Sequence, residues 1–506
     1  MKMKKIYMLL ALTAGLVSCD LDKEPYDALP DNEALQTPTD FANARVGLYS
    51  ALRSSIGGNT FYNSAEMQCD GFHAVTGFSN TLGDMYRWDF TTQASYFSTV
   101  YGNYQATIAR AEYIIDGYNK CDMSNPNLFT ALAKANVGKI KGEAFFTRAY
   151  CIFMLSQYFC ADYDAATASN PNTGVSYRLN YAPSSDASTY PARETLAQTF
   201  VQIKNDLDSA AKYINVAGAP SMEYISVDAI TAMRARVALA MDDYPTAFAQ
   251  ADQLIRGGNY ALADGIDELQ DLWYNDGGME TIFQLAVASR DELPSATGTI
   301  YQPYSEDGNP DYIPTQDLID LYTNADYRKS VYFNRVRINT TSGASGTVYA
   351  LNKYTDHGRL YTEFGSYEYA RFVIEPKVFR IAEMYLIAIE AGAQANKLTE
   401  ASAYLNELKS KRIRNYTDRS FTATTIMSEL RDERQREMVA EGSRLFDIKR
   451  WHIALKRGEP QNADLCNLPG SNTTALTRPA DEQRLTWPIP KAETDVNKKI
   501  VQNPGY

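Results

Sequence analysis

Between Thr195 and Ile214 the apolar residues Leu196, Phe200, Ile203, Leu207, Ala210 and Ile214 recur at alternating steps of four and three, the stripe of a helix with one buried face. Thr195 and Gln198 supply a capping pair at its start. A helix striped this way hides its apolar face only by packing against another helix, and the chain offers such partners in pairs. Val227 to Met241 turns through Asp242, Asp243 and Tyr244 into Pro245 to Arg256, where proline suits the first helical position and Gly257-Gly258 the exit. Pro376 to Ala395 turns through Asn396 and Lys397 into Leu398 to Arg414, with small alanines where two helices must approach. With Tyr101 to Lys120 and Lys134 to Tyr158, these hairpins predict a mainly α protein on a tetratricopeptide-like helical-repeat scaffold, with repeats over about 101–256 and 375–451. No repeat carries a full consensus, so a generic helical bundle stands as the alternative.

Residues 259–370 are of another kind. Gly, Ser, Thr, Asn and Pro are frequent, and β-branched runs such as Val331 to Asn339 are short. The segment is predicted to be a large loop-rich insertion with a few short strands, held on the helical scaffold. Its density of tyrosine sets it apart from a disordered linker, and long irregular segments inside a compact protein are usually functional.

The chain start is a leader. Lys2, Lys4 and Lys5 precede an apolar run from Met8 to Val17, too short for the roughly 20 residues a membrane span needs. Leu16-Val17-Ser18-Cys19 resembles the bacterial lipobox, which makes residues 1–18 a signal peptide, Cys19 the lipidated N-terminus and residues 19–39, with Pro25, Pro30 and Pro38, a polar tether. Asp20, Asp22 and Glu24 follow at once, a stretch that resembles the one accompanying export of some lipoproteins to the cell surface. No second apolar run approaches spanning length, so the lipid is the expected membrane attachment. The net charge of −12 becomes −15 once the three leader lysines are gone, which repels a polyanion and sets nucleic acid aside.

Five cysteines remain beyond Cys19, an odd number, and Cys151 and Cys160 sit about 13 Å apart along one predicted helix, too far for a bridge. They read as buried apolar side chains. His73, His357 and His452 lack the spacing of a zinc site, and no cofactor is expected. Asp307-Gly-Asn309-Pro-Asp311 has the alternating oxygens of a calcium loop, but Tyr312 stands where the loop needs glycine and no glutamate closes it. No metal is expected there.

The segment from Arg431 to Trp451 carries Glu433, Arg434, Arg436, Glu437, Glu441, Gly442, Arg444, Phe446, Asp447, Arg450 and Trp451. It resembles the signature of the SusD/RagB family of outer-membrane nutrient-binding lipoproteins: an arginine- and glutamate-rich helix ending in Glu-Gly, then an Arg-x-Phe-Asp-x-x-Arg-Trp run. Gly142-Glu143-Ala144 through Arg148-Ala149-Tyr150 resembles the family's early helix, Arg380-Ile381-Ala382-Glu383 through Tyr385-Leu386 its late one, and Gln502 to Tyr506 its ending. Ser443 stands where many members have histidine, and Ile448-Lys449 where leucine-arginine is common. The resemblance spans the mature chain and makes residues 40–506 one SusD-like body. It implies a binding protein, not an enzyme, that captures oligosaccharides or polysaccharides at the cell exterior and delivers them to a TonB-dependent, SusC-like outer-membrane transporter.

The paired carboxylates of that signature could be read as an acid and a base. Glu433, Glu437 and Glu441 repeat every four residues, so the interleaved arginines are better read as a structural charge network that prevents repulsion. Tyrosine outnumbers phenylalanine 36 to 20, and an amphipathic ring offers a pyranose a flat apolar face and a hydroxyl at its edge. The candidates for ligand contact are Trp88 and Trp273, then Tyr86, Tyr96, Tyr274, Tyr301 and Tyr304, chosen for position in expected loops. Peptide capture by the same fold and a surface glycoside hydrolase are the alternatives.

Overall fold

The computed structural model describes residues 35–302, 308–340, 342–467 and 477–506. The leader, Cys19 and most of the tether lie outside the described residues. The tether's last residues do not: Thr37 caps a helix whose first residue is Pro38, and Asp40 completes the capping box, so the body starts a turn earlier than expected.

The fold is predominantly helical, as the stripe patterns predict. Ala131–Phe159 is its axis, packed by the helices Ser95–Lys120, Leu196–Tyr213 and Pro38–Ile56. Its residues from Val137 onward are buried almost all round, which removes any single apolar stripe from that part of its sequence. Close approach there depends on Gly142, where a Cβ would come within 2.9 Å of Ile214 and Tyr213. Leu196–Tyr213 begins at the expected capping box of Thr195 and Gln198. Val227–Ala240 and Tyr244–Gly257 form one helical hairpin, with Asp243 capping the second helix and Gly258 leaving it in the left-handed region at φ 73°. This hairpin packs on a second one, Ile381–Gln394 with Leu398–Arg412.

Two expectations change here. Lys377–Arg380, predicted as the start of a helix, is a strand that pairs antiparallel with Thr281–Gln284, Thr281 facing Arg380. The signature helix runs Ala423–Glu437 and ends there; Ala440 and Gly442 take positive φ, and a short helix, Arg444–Arg450, follows. Glu441 is therefore off the helical stripe that its spacing suggested.

The strand pair Thr281–Gln284 and Lys377–Arg380 closes a loop, since the chain leaves the scaffold after residue 284 and returns beside its exit at residue 377. Between them lie the hairpin Phe333–Asn339 with Ser345–Leu351, a strand Tyr312–Pro314 that pairs with Phe72–Ala74, and short helical turns. Cys69, Cys151, Cys160 and Cys466 are buried free thiols, and Cys121 is half-buried. Among the described residues no helix is long and apolar enough to cross a membrane, and no cluster of three or more His, Cys, Asp or Glu could hold a metal ion.

Candidate functional site

The signature residues meet inside the protein. Glu437, at the end of its helix and fully buried, accepts hydrogen bonds from Arg328 at 3.0 Å, Arg380 at 2.9 Å and Arg412 at 2.9 Å. Arg328 also reaches Glu433 and Asp326, while Arg380 and Arg412 share Glu280. Glu441 reaches the same network from the turn, accepting from Arg380 and Lys353, each at 2.6 Å. Burial alone would lift the Glu433 and Glu437 carboxyls, but the surrounding guanidiniums outweigh it, pulling Glu433 down to about 2 and holding Glu437 well below the usual range. Arg434 donates to Asp447 at 2.6 Å; Arg450 bonds Asp447 and Glu390, and the Trp451 indole also donates to Glu390. Phe446 packs edge-on against Tyr158, and Gly442, at φ 74°, gives its N–H to Glu66. This arrangement joins the signature to the insertion, through Arg328 and Lys353, and to the second hairpin, through Glu390 and Arg412. It offers no exposed acid and base.

The tryptophans chosen for ligand contact are core residues. Trp88 is 3% exposed, and its Nε1 donates to the Gln68 carbonyl at 2.9 Å. Trp273 is 1% exposed, with the Lys353 ammonium 4.1 Å and the Arg380 guanidinium 5.1 Å from its ring centre. Its faces are occupied by the charge network. Tyr86 and Tyr301 are buried and spend their hydroxyls on the Asn467 carbonyl and Asn63. Tyr96 is buried and bonds Asp84, and Tyr274 is half-buried with its hydroxyl on the Val331 carbonyl. Tyr304 lies outside the described residues. Nor are most of these candidates in loops: Tyr86 lies on the helix Gly83–Arg87, Tyr96 on Ser95–Lys120, and Trp273 and Tyr274 on Gly265–Tyr274, where their rings bury apolar area in the core.

Other rings of the insertion reach the surface, Tyr361 and Tyr367 half-buried and Tyr369 exposed. The segment 353–373 folds over a small apolar cluster of Val287, Leu360, Ala370 and Val373, apart from the main core. Its base is tied down by Glu375, which accepts from the Gln284 amide, the Val287 N–H and Arg359, and by Lys377 on Asp276 at 2.7 Å. Tyr367 and Tyr369 stand with ring centres 5.4 Å apart, and Tyr369 is 69% exposed. The Arg290 guanidinium covers Tyr367 at 4.7 Å. On the short helix Arg359–Glu363, Tyr361 lies 5.3 Å from the exposed His357 ring and 5.3 Å from the Arg371 guanidinium. Hydrogen bonds from Arg371 and Ser366 hold the Tyr361 phenol below its ordinary pKa. Gly365 and Ser366, both at positive φ, turn the chain between Tyr361 and Tyr367. The result is a set of rings and hydroxyls raised from a pinned base, suited to stacking and hydrogen bonding. The cue in the sequence was Tyr361-Thr-Glu-Phe-Gly-Ser-Tyr367-Glu-Tyr369, aromatic-rich around a turn and without apolar periodicity.

A scaffold of packed helical hairpins carrying a clamped, loop-rich excursion is the class of protein seen here, and known proteins share it along nearly the whole chain. A family model described as starch-binding and associating with the outer membrane matches residues 21–239, and the SusD family model matches residues 330–506. A SusD-like protein of Formosa agariphila is 21% identical, covering 99% of this chain and 98% of its own. Among solved structures, a SusD superfamily protein of Bacteroides thetaiotaomicron superposes with a TM-score of 0.76 at 23% identity, over 92% of this chain and 100% of its own. A SusD-like carbohydrate binding protein of Bacteroides vulgatus does so with a TM-score of 0.73 at 16% identity, over 92% and 97%. The chain belongs to the SusD/RagB family.

Proposed function

We propose that the protein captures oligosaccharides outside the cell and hands them, uncleaved, to a SusC-like, TonB-dependent transporter in the outer membrane, to which a lipid on Cys19 keeps it close. The observation that carries the reading is the tyrosine set Tyr361, Tyr367 and Tyr369, the first two half-buried and the third exposed, on a pinned insertion in a chain that matches a family model described as starch-binding and associating with the outer membrane. Ring faces and phenol hydroxyls match the apolar faces and hydroxyl rims of pyranoses, and binding needs no titrating nucleophile.

Calorimetry against a panel of neutral glycans and peptides, with product analysis of the recovered ligand, tests this. Tyr367→Ala and Tyr369→Ala are each expected to cost about 1–3 kcal/mol of glycan binding with folding intact. Affinity for a neutral glycan is expected to be nearly independent of salt, because no charged pair is screened. Unchanged affinity in both variants would remove these rings from the site, a preference for peptides would give the capture role another ligand, and a shortened glycan would make the protein a hydrolase.

A further inference from the structure

A second opening lies away from the signature and from the tyrosine surface, between the helix Ser95–Lys120, the loop around 176–191 and the C-terminal helix Lys491–Val496. It encloses about 430 Å³, within the range of small-ligand sites. Tyr101, Tyr177, Tyr181 and Tyr190 line it. The wall is fixed: Tyr181 gives its N–H to Asp116 at 2.8 Å and stands edge-on to Tyr113, with ring centres 5.1 Å apart.

Glu112 also lines this groove. It is 4% exposed, and its Oε1 has no hydrogen-bond partner. A buried carboxyl oxygen left unmatched is costly, so the residues nearby bear on what it is for. Arg148, the cation that acts most strongly on it, donates through Nε and Nη2 to Asp206, at 2.9 and 2.6 Å, and its Nη1 is also without a hydrogen-bond partner. Arg178, the cation of the lining, spends its guanidinium on the Ala182 and Thr189 carbonyls of its own loop. Glu493 adds a second carboxyl to the wall. The lining thus holds two carboxyls, Glu112 and Glu493, against the one guanidinium of Arg178. Burial pushes the Glu112 carboxyl up to about 8 against the pull of Arg148 and Arg178, and raises Glu493 as well.

Aromatic walls around a buried carboxyl with an unpartnered oxygen are the chemistry that recognises an organic ammonium group. We infer that this groove is a second binding site, for a glycan unit with a free amine: a hexosamine whose ammonium is held by Glu112 and whose ring lies against Tyr177 and Tyr181. The sugar in this assignment rests on the glycan-capture reading, whereas the ammonium preference rests on the groove alone. Flat tyrosine faces favour a pyranose over a lysine side chain, and the acidic lining excludes uronates and sulfated sugars.

Calorimetry of the whole mature protein with a glucosamine oligomer, its fully N-acetylated counterpart of equal length and an oligolysine decides the matter. The glucosamine oligomer is expected to bind, and acetylation, which removes the charge, to weaken binding at least about tenfold. Glu112→Gln is expected to bring the same loss while leaving the neutral glycans of the tyrosine surface unaffected. Tyr181→Ala should weaken the amine-bearing oligomer too, and it serves as the reporter if Glu112→Gln melts early. Absence of glucosamine-oligomer binding, equal affinity for the acetylated form, or no effect in a folded variant would overturn the assignment. Oligolysine bound with the same dependence on Glu112 would overturn the sugar and leave a peptide-amine site. Because Tyr367→Ala and Tyr369→Ala report on neutral glycans, failure of the capture reading and failure of this groove are read from different variants.

Discussion

Glu437 shows how one residue can be indispensable without touching a ligand. It accepts from three fully buried arginines, Arg328, Arg380 and Arg412, that arrive from different parts of the chain. Glu437→Ala leaves those guanidiniums short of a partner, and the expected loss is about 3–5 kcal/mol in denaturant unfolding, the scale for breaking a buried charge pair from one side. A variant with normal stability would show that the network relaxes around the gap. The buried carboxyls also set a pH profile with two limbs. Glu433 is held at about 2, below its unfolded value, so the stability it contributes is present above about 4.5 and is lost as pH falls toward 2. Glu66 is the opposite case: desolvation raises it to about 8, the folded state binds the extra proton, and stability falls as pH rises from about 4.5 to 8. Glu66→Gln keeps an acceptor for the Gly442 N–H and removes the titration. Its melting temperature should decline less than wild type across that window, and a parallel decline would assign the limb to other groups such as Glu112, which is raised in the same way.

At the scale of elements, what the sequence revealed depended on how evenly each element is buried. Helices with one wet face, such as Leu196–Tyr213 and Tyr244–Gly257, announce themselves through apolar spacing and caps, and their predicted ends agree closely with the structure. Lys377–Arg380 is buried on both faces, so alternation had nothing to act on and the strand was absorbed into the helix behind it. The aromatic residues fail for a related reason. Lack of an apolar stripe does not put a ring in water: Trp273 lies on the short helix Gly265–Tyr274 and Trp88 directly follows Gly83–Arg87, and both are buried. The strand pair that closes the insertion gives an element-scale prediction. Glu375 joins the Gln284 amide, the Val287 N–H and Arg359, so Glu375→Ala is expected to loosen the base of the excursion. Hydrogen exchange should quicken across residues 285–301 and 354–373 while Ile381–Gln394 keeps its protection, because that helix packs on the hairpin Val227–Gly257 and not on the excursion. Equal acceleration in both would mean that insertion and scaffold open together.

At the scale of the whole molecule, the proposed capture is useful only if the body stays near the proposed transporter. A tethered ligand-binder gains effective concentration from its anchor, and a freely diffusing one loses it. Among the described residues no helix is long and apolar enough to span a bilayer. Leu35 is already buried in an apolar cluster with Phe41, so residues 20–34 separate Cys19 from the described body. Cys19→Ala removes the acceptor of the lipid and leaves the folded body intact, so the variant is expected in the aqueous phase on detergent partitioning, with an unchanged melting temperature and unchanged affinity for soluble glycans. Uptake of those glycans by cells should fall nonetheless, because binding and proximity are separate contributions. If wild type and variant partition alike, the lipid on Cys19 is not what holds this protein at the membrane, and contact with the transporter itself would have to supply the attachment.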